Sequence, residues 1–131
     1  MPTLNQSEFR KVRDSFNAVL REFENYKNIY FKAAELSDYN ENRFFSEYIL
    51  ETDSIYIELC NLKENLENII NKVNISTRNK KDEYIQMYDV VNLINYTIID
   101  SFRNVCESFK QSGLSDTESE LLMETEIYRH I

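Results

Sequence analysis

Mostly apolar side chains recur in alternating steps of three and four residues through the second quarter of the chain. The positions are Phe45, Tyr48, Thr52, Ile55, Leu59, Leu62, Leu66, Ile69 and Val73. A sustained seven-residue repeat favours packing against helices that lie nearly parallel or antiparallel to it. A second, patchier stripe consists of Ile49, Tyr56, Cys60 and Ile70. Together the two stripes predict a helix over about residues 41–73 that contacts more than one neighbour in a bundle.

Two further long segments show the same spacing. A first helix is predicted over about residues 7–36, with its apolar face at Phe9, Val12, Phe16, Val19, Phe23, Tyr26 and Tyr30. Another is predicted over about residues 78–112, with a seam at Tyr84, Met87, Val91, Ile94, Ile98, Val105 and Phe109. Between Val90 and Phe102 apolar residues surround most of the helix, so we expect this segment to be the most buried of all. Asp100 and Arg103 should form a strip that faces solvent.

Helix start and stop signals mark the ends of these segments. Asn5 with Glu8, and Ser115 with Glu118, have the spacing of capping boxes, in which two side chains and two backbone amides bond reciprocally. A connection is expected at residues 37–40, which are rich in turn formers. Gly113 followed by Leu114 is typical of a left-handed helix end.

A short last helix is predicted from the second capping box to about residue 130. Its apolar side consists of Leu121, Leu122, Thr125, Tyr128 and Ile131. Such a short helix is marginal alone in water, so it must dock either on the bundle or on a partner. The chain has one glycine and one proline, too few for the tight turns of a sheet. We therefore predict one all-α domain over residues 1–131: an antiparallel bundle of three long helices plus a short C-terminal helix.

The net charge of −8 is concentrated in two segments. Residues 41–76 carry seven acidic and three basic side chains, and residues 113–131 carry five acidic and one basic, so each has a charge of −4. The remaining segments are neutral. An acidic chain disfavours nucleic-acid binding, which needs a positive field. The acidic segments can steer a basic partner protein, or they can merely keep helix faces solvated.

No residue pattern indicates catalysis, a cofactor or a metal site. His130 is the only histidine, and one glycine cannot build a phosphate-binding loop. Glu126 and His130 share a helical face, but a metal site in a bundle needs ligands from facing helices as well. A hypothesis of lower rank is an enzyme that holds a divalent ion with helix-borne carboxylates. Its candidates are Glu47, Glu51, Glu58 and Asp89, which flank the seams instead of occupying them.

Aromatic residues away from the main seams are candidates for a partner-binding patch. They are Phe31, Tyr39, Phe44 and Tyr88. Aromatic anchors carry much of the binding energy at interfaces, although a bundle also needs off-seam residues for its core. The acidic tail supplies a second candidate set, Asp116, Glu118, Glu120, Glu124 and Glu126.

The chain lacks both an apolar run long enough for a membrane span and an N-terminal signal-peptide pattern. We therefore expect a cytoplasmic protein that does not insert in membranes. Cys60 and Cys106 should be free thiols, because an antiparallel hairpin places them roughly 20 Å apart along its axis.

The chain resembles the N-terminal three-helix domain of syntaxins in its order of elements: three predicted helices of roughly 30 residues, a polar link after the second, and an acidic tail. The segment Tyr88–Lys110 is loosely similar in its pattern of apolar and polar residues to the third helix of that domain. The resemblance implies a three-helix bundle. It is one of architecture, and no motif assigns the chain to that family.

These observations favour a non-enzymatic protein that acts through contact with another protein. Our first hypothesis is an adaptor or regulatory bundle, alone or as a homodimer. The alternative is a small acidic inhibitor or immunity-type protein, from a phage, virus or toxin locus, that blocks a basic partner surface.

Overall fold

The computed structural model describes residues 6–38, 45–72 and 78–130, and in these ranges the chain is almost entirely helical, without a strand. The long helices are α1 (Gln6–Asp38), α2 (Phe45–Lys72) and α3 (Arg78–Ser112). The short helix α4 (Asp116–Glu124) follows, and the described chain ends in a 3-10 turn (Ile127–His130), here called the C-terminal turn. The predicted all-α bundle of three long helices and a short C-terminal one is confirmed.

The direction of each helix follows from contacts between their ends. The ring centroids of Phe45, at the start of α2, and Phe109, near the end of α3, are 4.7 Å apart. An ion pair of 3.9 Å joins Arg13 to Glu83, so the early parts of α1 and α3 lie at the same end of the bundle. Each long helix packs against the other two. The topology is therefore up, down, up, with α2 antiparallel to both neighbours.

The seven-residue seams supply the core of this bundle. Every predicted seam position of α2 in the described range is buried, including Thr52. The predicted seam of α3 is buried throughout, and α1 contributes Val12, Val19 and Tyr26, with Ala33 two turns further on. Of the other predicted positions, Phe16, Phe23 and Tyr30 are half-buried against the core. The side chain of Phe9 and the whole of Val73 fall outside what the structure describes. The three-four spacing thus identified the faces that the helices bury against one another.

Hydrogen-bonded tyrosines cross the core where the three long helices meet. The Tyr26 hydroxyl in α1 lies 3.2 Å from the Tyr48 hydroxyl in α2 and also bonds the hydroxyl of Ser101 in α3. Ser101 in turn donates to the Ile98 carbonyl at 3.1 Å. Burial raises the pKa of both tyrosines above its usual range, so they remain neutral. One hydroxyl therefore links all three long helices.

The predicted helix boundaries are partly confirmed. The helix over 78–112 begins and ends as expected, but α1 continues through Ser37 and Asp38, which we placed in the first connection. The helical backbone hydrogen bonds of α1 continue through these two residues, although we expected their turn-forming side chains to compete with those bonds. The predicted start of the second helix at residue 41 and the Asn5 to Glu8 capping box fall outside the described backbone and side chains.

The segment from Val90 to Phe102 is not the most buried one, contrary to our prediction. Leu93 is 67% exposed and Tyr96 is 68% exposed. The reason is geometric: α3 has two long neighbours, which cover one side of it, and the apolar residues on the opposite side remain in solvent. Asp100 and Arg103 do face solvent as predicted, 3.9 Å apart.

The connection from α3 to α4 has the predicted chemistry. Gly113 adopts a φ of +89°, in the left-handed region, and its N–H donates to the Lys110 carbonyl at 3.1 Å. The Ser115 to Glu118 capping box is present: the Glu118 N–H donates to Ser115 Oγ at 3.2 Å, and the Ser115 N–H donates to Glu118 Oε1 at 3.0 Å. The chain therefore reverses at Gly113 and starts α4 immediately afterwards.

None of the described helices combines the length and the apolar character that a bilayer crossing requires.

Candidate protein-binding surface

The C-terminal segment, residues 116–130, docks on α2. Leu122 and Ile127 are buried there, and Asp53 Oδ1 accepts a hydrogen bond of 2.9 Å from the Ile127 N–H. The ring centroids of Tyr56 and His130 are 5.7 Å apart. The sequence left open whether this segment docks on the bundle or on a partner. In the structure it docks on the bundle. This contact accounts for Tyr56, a member of the second apolar stripe on α2.

The last helix is not continuous to residue 130, as the sequence had indicated, because it ends at Thr125. The backbone of Thr125 is extended, with φ −73° and ψ 147°. Its hydroxyl donates to the Leu122 carbonyl at 2.7 Å and accepts from the Tyr128 N–H at 3.3 Å. One threonine thus closes α4 and starts the C-terminal turn, and the break directs Ile127 into the core.

Docking brings the two acidic segments of the chain together. Helix α2 carries six acidic and two basic side chains, a charge of −4, and the C-terminal segment carries five acidic and one basic, also −4. Their sum equals the net charge of the whole chain, −8. We call the outward side of α2 together with the C-terminal segment the acidic surface. Segments separated by a neutral helix in the sequence are neighbours in the fold.

Most carboxylates of α2 are available to a partner. Glu47, Glu51, Glu58 and Glu64 are exposed, and no described cation forms an ion pair with them. Some exposed acidic groups of the neutral helices are paired, as Glu24 is with Lys27 at 3.1 Å. Because those helices carry equal numbers of acidic and basic side chains, the excess negative charge is concentrated on the acidic surface.

Exposed apolar side chains lie within the acidic surface. Leu50 is 57% exposed and Ile57 is 40% exposed, both on α2, and Met123 on α4 is 64% exposed. Leu50 and Ile57 are seven residues apart, so they share one helix edge about 10 Å apart, with Asp53 between them. Exposed apolar patches with a polar rim are typical of interaction sites. These three residues were not among the predicted site residues, although the spacing of Leu50 and Ile57 between acidic positions was a usable signal.

The predicted aromatic patch does not form one surface in the described structure. Phe31 is 66% exposed, but it lies on α1 and packs against Tyr30, with ring centroids 5.4 Å apart. Tyr88 is half-buried between α3 and α2, where its hydroxyl donates to Glu67 at 2.7 Å and Lys63 lies 5.6 Å from its ring centroid. That bond to Glu67 raises the pKa of Tyr88. Tyr39 and Phe44 fall outside the described residues, and all four remain predictions as partner contacts.

The five acidic residues predicted in the tail divide into two groups. Asp116, Glu120 and Glu124 are exposed. Glu118 is engaged in the capping box, and Glu126 pairs with Arg129 at 3.2 Å. The exposed three are therefore the ones that can contact a partner without first breaking a bond within the chain.

The described residues do not bring together a catalytic or metal-binding group elsewhere in the structure. Glu47, Glu51, Glu58 and Asp89 are all exposed, and the described residues contain no group of three side chains that could hold a metal ion. A groove of about 310 Å³ between α1 and α2 is lined by Ser15, Ala18, Val19, Glu58, Asn61 and Leu62. Another, of about 260 Å³, lies beside Lys110 and α4. Both thiols are free, as predicted.

Comparison with protein-family models, with curated proteins and with solved structures finds no match to this chain. The resemblance to the syntaxin N-terminal domain therefore has no matching structure behind it.

Proposed function

We propose that this chain is a non-enzymatic adaptor or regulatory module that binds a partner protein with a basic surface. The observation that carries the proposal is the docking of the C-terminal segment on α2. It puts two segments of charge −4 side by side, with exposed Leu50, Ile57 and Met123 among their carboxylates.

Charge and apolar contact contribute differently to such binding. A surface of one sign raises the association rate of an oppositely charged partner by about 10- to 1,000-fold at low salt. Apolar anchors that become fully desolvated contribute most of the affinity. The carboxylates should therefore set the rate and the choice of partner, and Leu50, Ile57 and Met123 should set the lifetime of the complex.

Other parts of the proposal follow from the same chemistry. A net charge of −8 opposes contact with phosphate backbones, so we expect no nucleic-acid ligand. We expect neither a cofactor nor a catalytic role. We place the protein in the cytoplasm, where a reducing environment keeps Cys60 and Cys106 as thiols.

The test is affinity capture from the native host with two variants of identical net charge. The surface variant combines Glu51→Lys, Glu58→Lys and Glu64→Lys. The control combines Asp14→Lys, Glu22→Lys and Glu35→Lys, which are exposed positions of α1. A partner of the acidic surface is retained by the wild type and the control and weakened at least about tenfold by the surface variant. Equal capture by both variants would contradict the proposal.

Salt dependence is the second readout for any partner captured in this way. Raising the salt from about 50 to 300 mM shortens the Debye length, so the association rate of the wild type should fall steeply. The surface variant, having lost the steering charges, should show a shallow dependence. A rate that is insensitive to salt in the wild type would show that the acidic surface does not steer the partner.

The inhibitor hypothesis predicts the same contacts with a different consequence. Its motivation is that an extended carboxylate surface can occupy a basic site that otherwise holds nucleic acid. An inhibitor abolishes the activity of the purified partner at equimolar concentration, whereas an adaptor leaves that activity intact. The enzyme hypothesis is tested separately by calorimetric titration with magnesium and manganese, where absence of heat removes it.

A further inference from the structure

The outer side of α3 carries a second seven-residue repeat that the bundle leaves largely exposed. We call it the α3 stripe; it consists of Ile85, Asp89, Asn92, Tyr96, Ile99 and Arg103, with Leu93 beside it. The steps are four, three, four, three and four residues, so these positions share one helix face. Asn92 and Ile99 are half-buried and the others are exposed. The stripe includes Tyr96, which we had expected to be buried and which the structure exposes.

We propose that a second copy of this chain packs on the α3 stripe. The two α3 helices run antiparallel about a two-fold axis that passes beside Tyr96. In a two-fold dimer the same patch serves both subunits, so the patch must be complementary to itself.

The α3 stripe meets this condition in both charge and apolar character. About an axis at Tyr96, residues equally far before and after it face each other. Asp89, seven residues before, then faces Arg103 of the second copy, seven residues after, and this happens twice in the dimer. Leu93, three before, faces Ile99 of the second copy, three after. Two ion pairs thus flank a centre of apolar and aromatic side chains.

Arg103 can change partners without losing a strong bond. Within its own chain its nearest carboxylate is Asp100, at 3.9 Å, and both side chains are largely exposed. An exposed pair on one helix at that distance contributes little to stability. Contact with Asp89 of the second copy therefore competes with a weak interaction only.

Charge and exposure together select α3 over the other helices for self-association. The acidic surface of one copy repels that of another, because α2 and the C-terminal segment each carry −4. Helices α1 and α3 are both neutral, with six and five charges of each sign. Among the described residues, however, α1 exposes a single large apolar side chain, Phe31, whereas α3 exposes Ile85, Val90, Leu93 and Tyr96. A dimer through α3 also leaves the acidic surface open, so it does not depend on the proposed function.

Sedimentation of the full chain between about 1 and 500 μM tests the dimer. The wild type should associate with a dissociation constant in the micromolar range, as a small helix-pair interface allows. Leu93→Asp combined with Tyr96→Asp should be monomeric, with an unchanged circular dichroism spectrum because both side chains are exposed. The matched control, Leu50→Asp with Ile57→Asp, should remain dimeric. A monomeric wild type, or a dimer lost in the control and kept in the α3 variant, overturns the proposal.

A charge exchange tests the position of the axis. Arg103→Asp places two carboxylates opposite each other, and Asp89→Arg does the same with two guanidinium groups, so each should weaken the dimer at least about tenfold. Combining Asp89→Arg with Arg103→Asp restores opposite charges and should bring the dissociation constant back to within about threefold of the wild type. A double variant as weak as the single ones overturns the arrangement around Tyr96.

Discussion

Asp53 in α2 caps a turn that lies 74 residues further along the chain: its carboxylate accepts the Ile127 N–H at 2.9 Å. The first N–H groups of a helical turn have no partner within the turn and need one from elsewhere. A cap is usually supplied by the residue just before the helix, and Asp53 supplies this one from a neighbouring helix. The position of the C-terminal segment therefore depends on one tertiary hydrogen bond as well as on buried Leu122 and Ile127.

Replacing Asp53 should release the C-terminal turn. We expect Asp53→Ala to lower the free energy of unfolding by about 1–2 kcal/mol, because a partly buried N–H loses a charged acceptor. Hydrogen exchange should quicken at residues 127–130 more than in α1. The control is Glu51→Ala, an exposed carboxylate on the same helix with no described partner, which should change stability by less than about 0.5 kcal/mol. Equal effects of the two substitutions would contradict the capping role.

Thr125→Val should be costly although it preserves the shape of the side chain. The valine cannot donate to the Leu122 carbonyl or accept from the Tyr128 N–H, and the site is buried. We expect a loss of about 1–2 kcal/mol in urea unfolding. The matched control is Thr97→Val: the Thr97 hydroxyl donates to the Leu93 carbonyl at 2.8 Å, but on an exposed helix face. That change should be nearly neutral, because water replaces the lost bond.

Gly113 should resist substitution for a reason of backbone conformation alone. Its φ of +89° is disfavoured for residues with a Cβ, yet an added Cβ would meet no atom within 4 Å. We expect Gly113→Ala to cost about 1 kcal/mol, and Gly113→Asn less, since asparagine tolerates the left-handed region better. Urea unfolding of both variants gives the order. An alanine variant as stable as the wild type would show that the α3 to α4 connection can change its conformation.

Local sequence signals correctly predicted the parts of this fold that depend only on residues close together in the chain. The seam from Phe45 to Ile69, the capping box at Ser115 and the reversal at Gly113 each depend on residues within one or two helical turns. The break at Thr125 was not predictable in this way. Asp53 of another helix holds the chain just after the break by accepting the Ile127 N–H. By spacing alone Thr125 belongs to the apolar side of a continuous helix.

The charge of the candidate surface could be predicted from the sequence, but its exposed apolar residues could not. The two segments of −4 were visible in the sequence, but only docking of the C-terminal segment makes them neighbours. Leu50, Leu93 and Tyr96 were missed because an apolar residue beside a seam is buried or exposed according to how many helices surround it. The number of neighbouring helices is a property of the assembled bundle, and it cannot be read from the apolar pattern of one helix.

The tyrosine pair in the core should show coupled energetics. Tyr26→Phe removes a hydroxyl that bonds both Tyr48 and Ser101, so we expect a loss of about 1–2 kcal/mol. Tyr48→Phe should cost less, because the Tyr48 hydroxyl bonds Tyr26, which keeps its second bond to Ser101. In the double variant the costs should not add, giving a coupling energy of about 0.5–1 kcal/mol by urea unfolding. Strict additivity would indicate that the two hydroxyls do not interact.

Alkaline pH should destabilise the bundle through groups that are buried as neutral species. A cysteine thiol ordinarily has a pKa of 9.0, and burial raises the pKa of Cys106 to about 12. Between these values the unfolded chain has lost a proton that the folded chain retains, so stability is complete below pH 9 and declines as the pH rises towards 12. Each such group contributes a slope of up to about 1.4 kcal/mol per pH unit. Above pH 10 the buried Tyr26 and Tyr48 add to the decline in the same direction.

Two core truncations separate this titration from a general loss of packing. Cys106→Ala should unfold with a smaller pH slope than the wild type between about pH 9 and 10, where the thiol already titrates in the unfolded chain and the tyrosines contribute least. Val105→Ala removes a buried neighbour that does not titrate. It should lower stability by about 1–2 kcal/mol at every pH and leave the slope unchanged. Urea unfolding from about pH 8 to 11 distinguishes the two, and a slope in Cys106→Ala equal to that of the wild type would show that the thiol is not the group responsible.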